Sequence, residues 1–357
     1  MDFTLTDEQK MLADVVAKLL DDHCPPAALR QLMTDGAPRD AARWGAIVET
    51  GLVPVLVPAE QDGLGLGELD FALIAQACGR AALPEPLVDH AGIALPLLAA
   101  CAPAHPLLAE ALSGAATLAI GHPLNPLVAD ADMAAALLLV HEGDLHLVPR
   151  DQVTLTRRPS IDPFRRLFDV AWKPSGTTRI ASAATAAEPL ADAIDRGALF
   201  AAAQCLGLAQ RCVDLAVAYA KDRTQFGKPI GSYQAIKHHL ASVQVKIEFA
   251  RPVLHAAATR FPDRDTRSRA AISHAKLVAA EAADLAARTA IQVHGAMGYS
   301  WEVDIHFFLK RALALTYVWG TPAFHQARVE RRVLAGPLGP DQTFLPDHPR
   351  QNEGQHA

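Results

Sequence analysis

The chain has 357 residues, of which 50% are hydrophobic and 20% charged, and its formal net charge at pH 7 is -6. A chain of this length and composition can bury a large core in two or three domains, so we expect a soluble, cytoplasmic globular protein. The negative charge balance leaves no basic stripe for a phosphate backbone, which argues against nucleic acid as a partner. No secretory signal or membrane span is expected, because the apolar runs are short or interrupted by proline.

The first 115 residues predict a helical domain. Thr6, followed by Asp7 and Glu8 ahead of apolar residues at helical spacing, is typical of a capped helix start. Further helices are predicted from Arg43 to Gly51 and from Leu69 to Ala82. A turn-rich segment with several glycines separates these two helices.

The hydrophobic period then changes from helical spacing to short apolar runs. Residues 136–141 and 144–149 flank Glu142-Gly143, a pair that predicts a β-hairpin. Short runs at residues 153–156 and 170–172 predict further strands, so we place a small β domain at residues 116–187.

From residue 188 onward, apolar side chains recur every three or four positions through three long segments. Helices with this pattern pack as a bundle, which we assign to residues 188–336. Residues 337–357 contain little apolar sequence and predict a disordered tail.

The five cysteines include no Cys-x-x-Cys pair, so we expect buried free thiols. The adjacent His238 and His239 are predicted to be surface residues, and no metal site is expected because no metal-ligand spacing occurs.

Two segments resemble signature sequences of the acyl-CoA dehydrogenase family. They are Tyr219-Ala-Lys-Asp-Arg-Thr-Gln-Phe-Gly-Lys-Pro-Ile-Gly-Ser-Tyr-Gln-Ala-Ile236 and Ile291-Gln-Val-His-Gly-Ala-Met-Gly298. The family patterns are Arg-x-x-Phe-Gly-x-x-Ile and Gln-x-x-Gly-Gly-x-Gly, and Ala296 replaces one glycine of the second. The domain order agrees over nearly the whole chain. The resemblance therefore implies an α+β, mostly α fold with an N-terminal helical domain, a small middle β domain and a C-terminal four-helix bundle.

The same resemblance implies an FAD site shared between subunits. In the family, both segments reach across a dimer interface to hold the ADP part of a neighbouring subunit's FAD. Arginine and glutamine can bond phosphate and ribose oxygens, phenylalanine offers an aromatic face, and glycine lets the backbone approach closely. The implied FAD contacts are Arg223, Gln225, Phe226, Gln234, Gln292, Gly295 and Gly298. A helix is predicted to end at the Gly-Lys-Pro turn, which leaves Arg223 and Gln225 free to make these bonds. The alternatives are a surface loop for the first segment and a helix cap for Gly298.

The family's catalytic base is missing from its usual position. Family enzymes remove an α proton from an acyl-CoA thioester with a carboxylate, while the β hydrogen leaves as hydride. The usual glutamate precedes Gly-Thr, and here Trp319 stands before Gly320-Thr321. An indole has no basic lone pair at neutral pH. The catalytic base of this chain is therefore unknown.

Some members of the family place the base at the start of the first long bundle helix, which aligns near Gly197. Asp195, two residues upstream, is the candidate there, and Asp192 lies nearby. The alternative for both is a first-turn acid stabilised by the helix dipole. His325 and His294 could also accept a proton, although a lone histidine is more often structural.

The β domain departs from the family too. Ala119 to Pro126 stand where the family has its flavin-facing Thr-Glu-Pro and Gly-Ser-Asp strand, and the domain is short. The chain thus resembles the subunit without a base in hetero-oligomeric acyl-CoA dehydrogenases of bacterial steroid side-chain degradation. The resemblance implies an acyl-CoA substrate, a second acyl-CoA dehydrogenase subunit as partner, and an acceptor such as an electron-transfer flavoprotein. The alternatives are a self-sufficient homo-oligomer with a displaced base and a flavin-free scaffold.

Overall fold

The computed structural model of the protein describes residues 4–36 and 39–335. Its N-terminal part is helical, with helices α1 Asp7–His23, α2 Pro26–Asp35, α3 Ala41–Glu49, α4 Glu68–Ala81, α5 Leu87–Asp89, α6 Leu95–Cys101 and α7 Leu107–Leu112. The predicted cap of α1 is confirmed: Thr6 Oγ1 accepts from Gln9 N over 3.2 Å, and Gln9 Oε1 accepts from Thr6 N over 3.1 Å. Within 4–36 and 39–335, no helix is both long and apolar enough to cross a membrane.

The middle part contains seven strands in two sheets. The strands are β1 Leu118–Gly121, β2 Val128–Ala129, β3 Ala136–His141, β4 Asp144–Pro149, β5 Thr154–Arg158, β6 Leu167–Ala171 and β7 Arg179–Ala181. Their orders are β1-β3-β4-β7 and β2-β6-β5. The hairpin predicted at Glu142-Gly143 is confirmed, because β3 and β4 pair antiparallel and the two turn residues have φ of 49° and 88°.

The C-terminal part is a helical bundle with a short hairpin inserted after its first helix. Its elements are α8 Ala183–Asp222, β8 Thr224–Gln225, β9 Lys228–Pro229, α9 Gln234–Thr259, α10 Thr266–His294, α11 Ile305–Tyr317 and α12 Pro322–Leu334. These helices, together with the small sheets, confirm the predicted mostly helical fold class. The predicted disordered tail, residues 337–357, lies outside the described residues.

Helices α4 and α8 cross with their backbones nearly in contact. A Cβ atom at Gly79 would lie within 2.5 Å of three backbone atoms of Gln204, and one at Gly207 would lie within 2.8 Å of the Gln76 carbonyl group. Only glycine permits this approach. The crossing joins the N-terminal helices to the bundle.

A buried arginine joins the three parts of the chain. Arg311 of α11 forms an ion pair with Asp162 in the β5–β6 loop, and its Nη1 donates to Leu83 O of the N-terminal part over 3.0 Å. Both charged side chains are buried, so breaking the pair would leave an uncompensated charge. The three parts therefore meet around one fixed point, which borders the cavity described below.

Candidate functional site

The first predicted FAD-contact segment forms an exposed hairpin at one end of the bundle. Helix α8 ends at Asp222, so the prediction that it ends at the Gly-Lys-Pro turn is wrong. Arg223 begins a tight hairpin in which Phe226 and Gly227 have φ of 52° and 79°, the signs required by a type I′ turn. Arg223 and Gln225 are exposed, and Phe226 is 92% exposed.

Local contacts hold the hairpin although its tip is exposed. Tyr233 Oη donates to Gln225 O over 3.2 Å, and Lys228 Nζ lies 4.3 Å from the centroid of the Tyr233 ring. Ile230 N donates to Arg223 O over 2.8 Å. The hairpin therefore presents an aromatic side chain and polar groups on a braced loop.

The second predicted segment lies at the same end of the bundle. Helix α10 ends at His294, whose ring stacks on Tyr219 of α8 with 4.2 Å between centroids and 24° between planes. Gln292 and Gly295 are exposed. The fold thus brings the two segments, which are about 70 residues apart in sequence, to one surface.

Two of the predicted contacts differ from the rest. Gln234 is exposed, but it starts α9 after the hairpin has ended. Gly298 is buried, and a Cβ atom there would lie 2.7 Å from Ile291 O. The close approach to Ile291 O therefore requires glycine at position 298, independently of any contact with a cofactor.

Trp319 is fixed inside the protein. The residue lies in the turn between α11 and α12, is 1% exposed and has φ of 57°, a conformation that is uncommon outside glycine, asparagine and aspartate. His325 Nε2 donates to Trp319 O over 3.1 Å, and Ser273 Oγ lies 3.1 Å from His325 Nδ1. Burial lowers the pKa of His325 to about 3, so this ring is neutral and serves as a structural hydrogen-bonding group.

The two positions considered for a catalytic carboxylate are in contact with each other. A Cβ atom at Gly197 would lie within 2.7 Å of three carbons of the Trp319 indole. On another side, Trp319 N lies 3.5 Å from Asn125 Oδ1, in the turn that follows β1. The indole therefore fills the space between the bundle helix and the β domain.

The cavity that remains beside Trp319 measures about 60 Å³. Pockets for drug-sized ligands measure roughly 300–1,000 Å³, so this cavity is too small for the three-ring head of a flavin together with an acyl thioester. It is lined by groups of both charges, including Arg39, Asp89, Asp130 and Arg165. The space beside Trp319 is therefore too small to hold a flavin head and an acyl thioester together.

The cavity carboxyl groups were missed by the sequence analysis. Burial raises the pKa of Asp89 and of Asp130, with the neighbouring Arg165 and Arg39 opposing the shifts. No motif marks them, because they come from α5 and the segment after β2, and only the tertiary fold brings them together. A carboxyl group with a raised pKa in a cleft is a candidate for acid–base chemistry.

Asp195 does not have the surroundings of a first-turn acid or of an accessible base. Helix α8 begins at Ala183, so Asp195 lies in its fourth turn and the first-turn interpretation is wrong. Its carboxylate is 3% exposed and pairs with Arg269 Nη1 at 3.0 Å and Arg328 Nη2 at 2.6 Å. Asp192 likewise pairs with Arg264 at 2.8 Å. Burial raises the pKa of Asp195, with Arg328 and Arg269 opposing the shift, but both carboxylate oxygens are held by these guanidinium groups and are not accessible to a substrate.

Comparison with known protein families finds two matches. Residues 6–104 match the N-terminal domain of acyl-CoA dehydrogenases, and residues 189–334 match their C-terminal domain. Among curated proteins, acyl-CoA dehydrogenase IpdE2 of Mycobacterium tuberculosis is 36% identical over 339 residues. That alignment covers 94% of this chain and 100% of the relative.

Solved structures share the fold. One chain of the ChsE4-ChsE5 complex from Mycobacterium tuberculosis superposes with a TM-score of 0.81 at 23% identity, covering 95% of this chain and 100% of that one. A chain of the Tcur3481-Tcur3483 steroid ACAD gives a TM-score of 0.80 at 23% identity, covering 93% of this chain and 99% of that one.

Proposed function

Because this chain belongs to the acyl-CoA dehydrogenase family, we propose that it is a subunit of an FAD-dependent acyl-CoA dehydrogenase that shares its flavin sites with a catalytic partner subunit. FAD is the cofactor of the family, and it accepts the hydride that leaves the β carbon of the acyl group. In this proposal the partner supplies the carboxylate base and most of the acyl pocket.

The single observation that carries the proposal is the contrast between the two ends of α8. At Gly197 the Trp319 indole narrows the chain's own cavity to about 60 Å³, whereas after Asp222 the hairpin exposes Arg223 and Phe226. A subunit that gives flavin contacts but takes none needs this combination. A self-contained enzyme would need an open cavity, and a flavin-free scaffold would have no need for a braced arginine and phenylalanine.

The exposed residues have the chemistry to hold the ADP part of FAD. Arg223 can bond pyrophosphate oxygens with charge assistance, and Phe226 can lie against a ring or ribose face. Gln225 and Gln292 supply amide donors and acceptors, and Gly295 lets the backbone approach closely. Gln234 and Gly298 complete the proposed set, with Gly298 acting through the shape of the turn.

The substrate and the further partners belong to the same proposal. A bulky acyl-CoA, such as one derived from a steroid, is supported by the likeness to a steroid ACAD and to a complex of two named subunits. An acceptor such as an electron-transfer flavoprotein would take the electrons.

The test compares the flavin absorbance of the chain purified alone with that of the chain co-expressed with proteins encoded beside it. We expect flavin only in a co-purified complex, and Arg223→Gln should reduce its FAD content. Arg157→Gln, an exposed arginine on β5, is the matched control and should leave the FAD content unchanged. Stoichiometric flavin on the chain alone, bleached by an acyl-CoA, would refute the shared site. A complex without flavin would favour the scaffold.

One observation favours the self-sufficient alternative, with a base other than Asp195. Asp89 lines the cavity beside Trp319 and Gly197, the two positions where family members carry their base. If Asp89 served as the base, flavin bound to the chain alone would be reduced by an acyl-CoA, and Asp89→Asn would abolish that reduction.

A further inference from the structure

The stacked rings of Tyr219 and His294 lie where the two proposed flavin-contact segments begin. Arg223 N donates to Tyr219 O over 2.9 Å, so Tyr219 lies one helical turn before the arginine. His294 directly precedes Gly295, which has φ of 59°. The stacked rings therefore link the start of the hairpin to the start of the glycine turn.

The histidine ring is held in one orientation and one protonation state. His294 is 7% exposed, and its Nδ1 lies 2.7 Å from Ala290 O. Because a carbonyl oxygen only accepts, Nδ1 carries the proton. Burial lowers the pKa of His294, which favours the neutral ring at pH 7. One face of this ring lies against Tyr219.

The aromatic pair differs from the small side chains that pack between α8 and α10 in the preceding turns. The buried residues of α8 and α10 near this end are mostly small, including Ala216, Ala220, Ala286 and Ala290. Small residues let the two helices approach closely without aromatic side chains. The rings occur where the helices reach the exposed segments, and stacked aromatic rings restrict both distance and orientation.

We propose that Tyr219 and His294 are positioning residues for FAD. Their stack fixes the separation of Arg223 from Gly295, so that side-chain and backbone contacts meet one ADP moiety. The inference rests on the proposed function, since it requires flavin at this surface. Neither ring touches the reacting atoms.

The test uses the complex of this chain with its co-purified partner, stripped of flavin. The dissociation constants of FAD and FMN are measured for the wild type, Tyr219→Leu, His294→Leu and the control Tyr219→Phe, which keeps the ring. FMN lacks the AMP part of FAD, that is, the adenosine and one of the two phosphates. We expect either leucine variant to raise the Kd of FAD roughly tenfold and that of FMN less than about twofold, with Tyr219→Phe like the wild type.

Other outcomes overturn the proposal. An unchanged Kd for FAD in the leucine variants would show that the pair does not position it, and an equal rise for both flavins would indicate general loosening. If both leucine variants failed to fold or to assemble, the pair would be a structural element only. A wild-type complex that binds no flavin would instead refute the proposed function, before any variant is compared.

Discussion

The contact between Gly197 and Trp319 predicts that Gly197→Ala destabilises the wild-type protein but stabilises a variant that lacks the tryptophan side chain. In the wild type, Gly197→Ala would place a methyl group within 2.7 Å of three buried indole carbons. Overpacking of this kind costs about 1–3 kcal/mol, and the better helix propensity of alanine returns about 0.5–1 kcal/mol. We therefore expect a net loss of about 1–2 kcal/mol in the free energy of unfolding.

In a Trp319→Ala background the obstacle is gone. Trp319→Ala itself should cost about 3–5 kcal/mol, because a fully buried side chain is removed. Adding Gly197→Ala should then stabilise the protein by about 0.5–1 kcal/mol through helix propensity alone. The two substitutions are thus expected to be strongly non-additive, as residues in contact are.

The assay is equilibrium urea unfolding followed by far-ultraviolet circular dichroism, which does not depend on the tryptophan signal. Gly45→Ala is the matched control, because Gly45 lies in α3 and a Cβ atom there would meet nothing within 4 Å. It should be slightly stabilising in both backgrounds. Equal destabilisation by Gly197→Ala with and without Trp319 would refute the idea that the indole fills the space over Gly197.

Three further predictions concern buried contacts. Gly79→Ala should destabilise the protein by about 2–3 kcal/mol in urea unfolding, because the new methyl group would meet the backbone of Gln204; a result like a neutral surface substitution would contradict the close crossing. Arg43→Gln should cost about 3–5 kcal/mol by leaving the buried Glu85 carboxylate unpaired, and the double substitution Arg43→Met with Glu85→Leu should recover most of it in the same assay. Burial lowers the pKa of Lys276 to about 8 from its usual 10.5, so between these pH values the unfolded chain binds more protons than the folded one. The free energy of unfolding of the wild type, relative to that of Lys276→Met, should therefore rise from pH 8 to pH 9.5. Parallel pH profiles of the two proteins would contradict this.

Elements set by local sequence were predictable. The Thr6 cap, the Glu142-Gly143 hairpin and the long bundle helices follow from residue type and hydrophobic period, which act over a few positions. The hydrophobic pattern places the bundle from residue 188 onward, whereas α8 begins at Ala183 and contains Pro189, so Asp195 lies in the fourth turn and not in the first. The hydrophobic pattern does not locate the first residue of a helix reliably when the helix contains a proline.

The candidate site was predictable only in part. Arg223, Gln225 and Phe226 lie in one continuous segment, so a sequence motif can mark them. The cavity beside Trp319 is formed by residues from separate parts of the chain, with Asp89, Gly197 and Trp319 as examples. Trp319 stands where the family resemblance implies a glutamate, which predicts a missing base, but only the packing of its indole on Gly197 shows that the space there is filled.

The length of α8 has a consequence for how this protein could change over evolution. Gly197 and Asp222 lie on the same continuous helix, and 25 residues at 1.5 Å each separate them by about 38 Å. Substitutions that far apart, with no shared neighbours, have nearly independent effects. The packing around Trp319 could therefore change, within the limits set by stability, without altering the exposed hairpin. One continuous helix would then connect an interior constrained by packing with a surface constrained by the proposed flavin contacts.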